Sequence, residues 1–162
     1  MSTQAGDNAA QVAFRLEVVV IPVADVDRAR DFYTNLGWRF DGEINRDDGY
    51  RLVQMTPPGS GCSIIFGKGV TAAQPGSFDG LLLAVDDIEA ARSRLLSQGV
   101  KVSETFHEAG GGLVGGFHPG EEQREAGPDP EGRSYASYAS FYDPEGNRYV
   151  LQEITERLPG RV

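Results

Sequence analysis

Along residues 17–38, EVVVIPVADVDRARDFYTNLGW, apolar positions run unbroken from Val18 to Ile21, then recur three and four apart at Val26, Ala29, Phe32, Tyr33 and Leu36. The first spacing predicts a buried strand and the second an amphipathic helix packed against it. Asp25 stands where the helix begins, with a short carboxylate that can accept the free N–H groups of the first turn. Gly37 stands where it ends, at a place that favours left-handed backbone. The same pattern returns in residues 80–100, GLLLAVDDIEAARSRLLSQGV. At an offset of 62 residues Val23 meets Val85, Asp25 meets Asp87, Ala29 meets Ala91, Arg30 meets Arg92 and Gly37 meets Gly99. Strand, turn, helix and closing glycine are all in phase, so the chain reads as an internal duplication.

After each helix the apolar period shortens to two, in short runs broken by turn residues. WRFDGEI, YRLVQMTP and CSIIFGK predict three strands in the first half; VKVSETF, SYASYASFY and NRYVLQEI predict three in the second, the last two joined by DPEGN. The expected fold is α+β, two tandem βαβββ modules with curled mixed sheets. Module one is expected over 13–70 and module two over 80–155, with a linker at 71–79, a disordered lead at 1–12 and a tail at 156–162. Residues 103–134 stand where module one uses only 41–49, and this glycine-rich insert carries both histidines of the chain. An insert of that length is expected to be a lid, an interface arm or a disordered segment.

Charge and composition narrow the function. A formal charge of −9 without a basic cluster argues against nucleic acid or an anionic membrane as partner and is easier to reconcile with a neutral or cationic small molecule. There is no apolar run long enough to span a bilayer and no signal-peptide pattern at the start, and the lone Cys62 fits a reducing compartment. These features together predict a cytoplasmic protein.

The duplicated modules, PVADVDRARDFYTNLGW, the DPEGN hairpin and the following VLQE resemble the vicinal oxygen chelate superfamily, which holds glyoxalases, bleomycin-resistance proteins and extradiol dioxygenases. The resemblance implies that each sheet curls into a half-open cup, and that two modules, within one chain or across a dimer, enclose a ligand. It also implies a homodimer. In metal-dependent members the ligand positions correspond to Val18, Ser63, Gly80 and Val150. None of these side chains is a competent donor for a first-row divalent ion. Glu17, Cys62 and Glu153 lie close by, but on a strand their parity turns them to the other face. No metal and no other cofactor is expected, which argues against glyoxalase or dioxygenase chemistry.

If those four positions face the cup, alternation adds Val20, Ile65 and Leu82, with Arg148 and Gln152 flanking Val150 and with Tyr138 and Ser140 on the neighbouring strand. Such a pocket is mostly apolar with a few polar anchors and suits an aromatic or cationic organic ligand. His107, beside Glu108, reads either as a general base or ligand anchor or as a solvated loop residue, and Tyr135 or Arg133 as a binding group at the far end of the insert. Two functions of different class follow. One is a small-molecule binding protein like those of bleomycin resistance; the other is a metal-independent isomerase, lyase or cyclase using His107 or Tyr138 as acid or base.

The donor set generates one direct expectation. Protein purified without chelators should contain no stoichiometric transition metal, and elemental analysis giving about one zinc, iron, manganese or nickel per chain would overturn it.

Overall fold

The computed structural model describes residues 11–161. Most of the lead expected over 1–12, and Val162 of the tail, therefore lie outside the described residues. Module one runs β1 (Val18–Val20), α1 (Val26–Asn35), β2 (Arg39–Asn45), β3 (Arg51–Thr56) and β4 (Ser63–Lys68). Module two runs β5 (Asp79–Val85), α2 (Ile88–Ser97), β6 (Phe106–Glu108), β7 (Arg124–Ala126), β8 (Ser137–Tyr142) and β9 (Arg148–Glu153), with a single 3-10 turn at Gly115–Phe117 between β6 and β7. The strands form two mixed sheets, in the orders β1-β4-β3-β2 and β5-β9-β8-β6-β7. In each, the strand that precedes the helix pairs in parallel with the last strand of its module, and the remaining pairs are antiparallel. No helix among the described residues is long and apolar enough to cross a membrane.

The helix ends follow the sequence signals. Asp25 accepts the Arg28 N–H at 3.0 Å and Asp87 accepts the Ala90 N–H at 3.0 Å, while Gly37 and Gly99 take φ of +84° and +75° just past the last turns. Helix α1 buries Val26, Ala29 and Tyr33, and α2 buries Ile88 and Leu95. They pack on the sheet faces carrying Val53, Met55, Ile64 and Phe66 in module one and Ala139, Phe141, Tyr149 and Leu151 in module two. All of these belong to one core. The modules are thus joined through their helix-bearing faces, and the opposite faces of both sheets look outward.

A buried polar knot closes this seam. The Tyr33 hydroxyl lies 2.8 Å from a carboxylate oxygen of Asp143 and 2.7 Å from the Tyr149 hydroxyl, and burial holds both phenols well above their ordinary pKa. Asp143 opens the DPEGN turn and accepts the Glu145 and Asn147 N–H groups and the Asn147 amide. Asn147, fully buried, donates to the Pro22 carbonyl of module one at 3.0 Å and accepts the Phe78 N–H at the linker exit at 3.0 Å. Glu145 adds a bond to the Asp25 N–H. The linker passes so close that a Cβ at Gly76 would overlap the Glu145 carbonyl.

Module two departs from the expected pattern at its second strand. Residues 100–105 do not form a strand; Val102 makes only an isolated bridge to Phe141, and β6 begins at Phe106. The insert then returns as β7, which pairs with β6 and becomes the sheet's outer edge. Both strands are three residues long, too short for periodicity to show, and Arg124-Glu125-Ala126 has the charged character that protects an exposed edge.

Asn147→Ala tests the seam. It leaves the Pro22 carbonyl and Phe78 N–H buried without their partner, so urea denaturation should show a loss of about 2–4 kcal/mol, against less than about 0.5 kcal/mol for Asn45→Ala on the exposed edge of β2. A loss at Asn147 no larger than at Asn45 would show that the knot does not hold the modules together.

Candidate functional site

Register sorts the predicted residues into two groups. On the outer face of module one, Val18 is the neighbour of Ser63 and Val20 of Ile65. Ser63 closes a polar cluster there: its hydroxyl is 2.6 Å from that of Thr56 and 3.4 Å from the Gln54 amide, and both Thr56 and Gln54 reach the Asp41 carboxylate. Hydrogen bonds from Thr56 first, then Arg39, hold Asp41 below the usual carboxylate pKa. On the outer face of module two, Leu82 is the neighbour of Val150, and Tyr138 and Ser140 stand beside Gln152 and Val150. Gly80 sits in a bulge with φ of +89°, between Asp79, the neighbour of Arg148, and Leu81. Because the two sheets join back to back, the chain does not bring these two groups together.

The insert covers the centre of the module-two face. Phe106 stacks on Tyr138 with centroids 5.7 Å apart, Phe117 meets Tyr138 edge-on at 6.4 Å, and the two rings of the stack join Val150 and Leu82 in a second apolar cluster separate from the main core. Gly116 lies flat on the Tyr138 ring, where any Cβ would overlap ring carbons, so only glycine permits this approach. The Tyr138 hydroxyl donates to the Leu113 carbonyl, and Gln152 donates to the Tyr135 carbonyl at 2.9 Å. Burial raises the Tyr138 pKa, so it is a packed phenol with its proton committed.

Beside this covered floor lies an open cavity of about 620 Å³, lined by Asp79, Lys101, Ser103, Arg124, Ser140, Tyr142 and Arg148 among others. Arg148 pairs with Asp79, and the Arg124 guanidinium lies 4.1 Å above the centroid of the Phe106 ring. Of the residues predicted from sequence, Ser140 and Arg148 line this cavity. Arg124, Tyr142 and Lys101 were not foreseen. A second cavity, of about 500 Å³, lies along the module seam between Trp38, Leu83, Leu95 and the Pro57–Gly61 loop, and Leu82 reaches its wall.

His107 is not part of the covered floor. Phe106 faces Tyr138, so its neighbour His107 points to the other side of the sheet beside Ser137. There the ring is buried, with Nδ1 2.8 Å from the Gly127 carbonyl and Nε2 3.2 Å from the Glu125 carboxylate. His107 is thus one residue of strand parity away from the face that carries Tyr138, Ser140 and Gln152. His118 is half-buried in the loop after the 3-10 turn. Tyr135, at φ +71°, accepts the Leu158 N–H with its hydroxyl and so turns toward the C-terminal segment. Arg133 is held by Asp129 and the Gly111 carbonyl, and its guanidinium brings the Asp129 pKa down to about 2.

The residues at the family's metal positions do not fit a metal. Val18, Ser63, Gly80 and Val150 bring no imidazole or carboxylate, Glu17 is exposed, and Glu153 faces the helix side, where it accepts the Ile88 N–H at 2.8 Å. No group of three or more histidine, cysteine, aspartate or glutamate side chains placed to hold an ion occurs among the described residues.

Known structures share this fold. TnmS3, an antibiotic binding protein from Streptomyces sp. CB03234, is 26% identical with a TM-score of 0.64 over 89% of this chain and 98% of that one. A glyoxalase/bleomycin resistance protein from the same strain is 27% identical with a TM-score of 0.61, covering 86% of this chain and 100% of that one. A superfamily member from Sphaerobacter thermophilus DSM 20745, 24% identical with a TM-score of 0.58 over 88% and 98% of the two chains, shares the fold. No curated protein matches the chain. A family model matches residues 15–151, and with the paired modules described above it shows that the chain belongs to the glyoxalase/bleomycin resistance protein/dioxygenase superfamily.

Proposed function

We propose that the protein binds and sequesters a small aromatic organic compound on the outer face of module two, against Tyr142 and the aromatic cluster under the insert. The observation that carries this reading is the composition of that face. It joins an open cavity to a floor of stacked rings, while His107, the candidate base of an enzymatic reading, is turned to the opposite side and held there at both ring nitrogens. Tyr138 is likewise committed, to Leu113. Such a surface offers shape, stacking and fixed hydrogen bonds, the means of binding rather than of proton transfer. The likeness to TnmS3, an antibiotic binding protein, supports the same direction.

The site is completed by a second copy of the chain. Within one chain the two outer faces point apart, so the enclosed cup implied by the family resemblance needs a partner's module to close it. Residues 11–17 favour this. Val12, Phe14 and Leu16 alternate in step with Val18 and Val20 and are 76%, 93% and 81% exposed, an apolar stripe left largely uncovered among the described residues. On the same module, Phe40 and Ile44 are also exposed.

Two measurements test the proposal. Calorimetric titration with planar aromatic compounds should find one site per chain, unaffected by EDTA. Tyr142→Ala should weaken that site about tenfold, equivalent to ~1.4 kcal/mol, whereas His107→Gln should stay within about twofold; the reverse pattern would favour catalysis at His107. In sedimentation, the protein should run at twice the chain's mass and Phe14→Glu with Leu16→Glu should run as a monomer. A wild-type monomer at all concentrations would remove the shared cup.

A further inference from the structure

Two buried side-chain nitrogens among the described residues have no hydrogen-bond partner: Nε of Arg124 and Nη1 of Arg148. They come from different strands, the edge strand β7 and the interior strand β9, yet both residues line the same 620 Å³ cavity. An unpaired buried donor is destabilising, and an unpaired donor on a charged group more so. Two such side chains bordering one cavity call for a shared acceptor.

We infer that this cavity is a carboxylate subsite, in which the acid group of the bound compound is held between Arg124 and Arg148. The inference rests on the reading of this face as the ligand site and adds the ligand's charge to it. Arg148 is fixed by an ion pair, and Arg124 by its place over an aromatic ring. Arg148 uses its Nε on Asp79 and keeps its side chain only 13% exposed, which leaves Nη1 for a further acceptor. Arg124 lies over Phe106 and has no carboxylate partner among the described residues. One N–H from each suits a planar anion with two oxygens, bridging the pair.

The charges facing the cavity agree. Lys101, Arg124 and Arg148 oppose Asp79 and Glu121, and Asp79 is already occupied by Arg148. A local positive balance inside a chain of net charge −9 needs a local cause. The Phe106–Tyr138 stack adjoins Arg124, so a carboxylate carried on an aromatic ring can place its acid group at the arginines and its ring beside Tyr142.

The test compares 2-naphthoate with 2-naphthamide, an uncharged compound of the same shape, by calorimetry on the wild-type protein, Arg124→Met and Arg148→Met, with folding checked by circular dichroism. Wild-type protein should prefer the naphthoate by at least about tenfold, and each variant should reduce that preference to within about twofold. If Arg148→Met fails to fold because Asp79 loses its partner, Arg124→Met on the outer edge strand still decides the matter. Equal binding of the two probes to wild type would overturn the carboxylate subsite while leaving an aromatic site standing. A preference that survives Arg124→Met would overturn it as well. Binding of neither probe would overturn both the subsite and the aromatic-ligand reading.

Discussion

The hydrogen bonds around Asp143 and Asn147 decide how the two modules meet. A turn between two strands of one module reaches the Pro22 carbonyl, the Asp25 N–H and the Tyr33 hydroxyl of the other, and also catches the linker at Phe78. All the central groups are buried, so misalignment of the modules would strand several of them at once. The apolar contacts around Tyr33, Trp38, Phe66 and Tyr149 supply adhesion without direction; the polar knot sets the register in which they pack.

From that register follows the placement of the site. Once the helix-bearing faces are joined, alternation along each strand sends the remaining side chains outward. The polar cluster of Asp41, Thr56 and Ser63 on one module and the arginine-lined cavity on the other then belong to surfaces on opposite sides of the chain. The two modules thus present different outer surfaces, one carrying the Asp41 carboxylate and the other two guanidinium groups.

Much of the fold was legible because its signals are local and repeated. Asp25 and Asp87 as caps, Gly37 and Gly99 as helix stops, and the parity that turns Glu153 away from Val150 each depend on a few neighbouring residues. What was not legible depends on pairing at a distance. β6 exists because Phe106 and His107 meet Tyr138 and Ser137 across the sheet, and without that register the side chosen by His107 cannot be read. Arg124 was hidden by its setting, one basic residue among many acidic ones, whose meaning appears only when the edge strand carries it over Phe106. The net charge of −9 favours a neutral or cationic ligand only as a whole-chain sum, which does not carry the sign of any one cavity.

The insert enters at one border of its sheet and the knot lies away from it. In the order β5-β9-β8-β6-β7, the strands that share the core with module one are β5, β9 and β8, while the segment between β6 and β7 is carried on the far margin. Residues 109–123 can therefore change in length or composition without disturbing the seam, and what they change is the cover over Tyr138 and the border of the cavity. The segment can thus be remodelled while the body of the fold stays intact. Gly116 sets the limit to that freedom, since any side chain there would lift the cover from the ring it rests on.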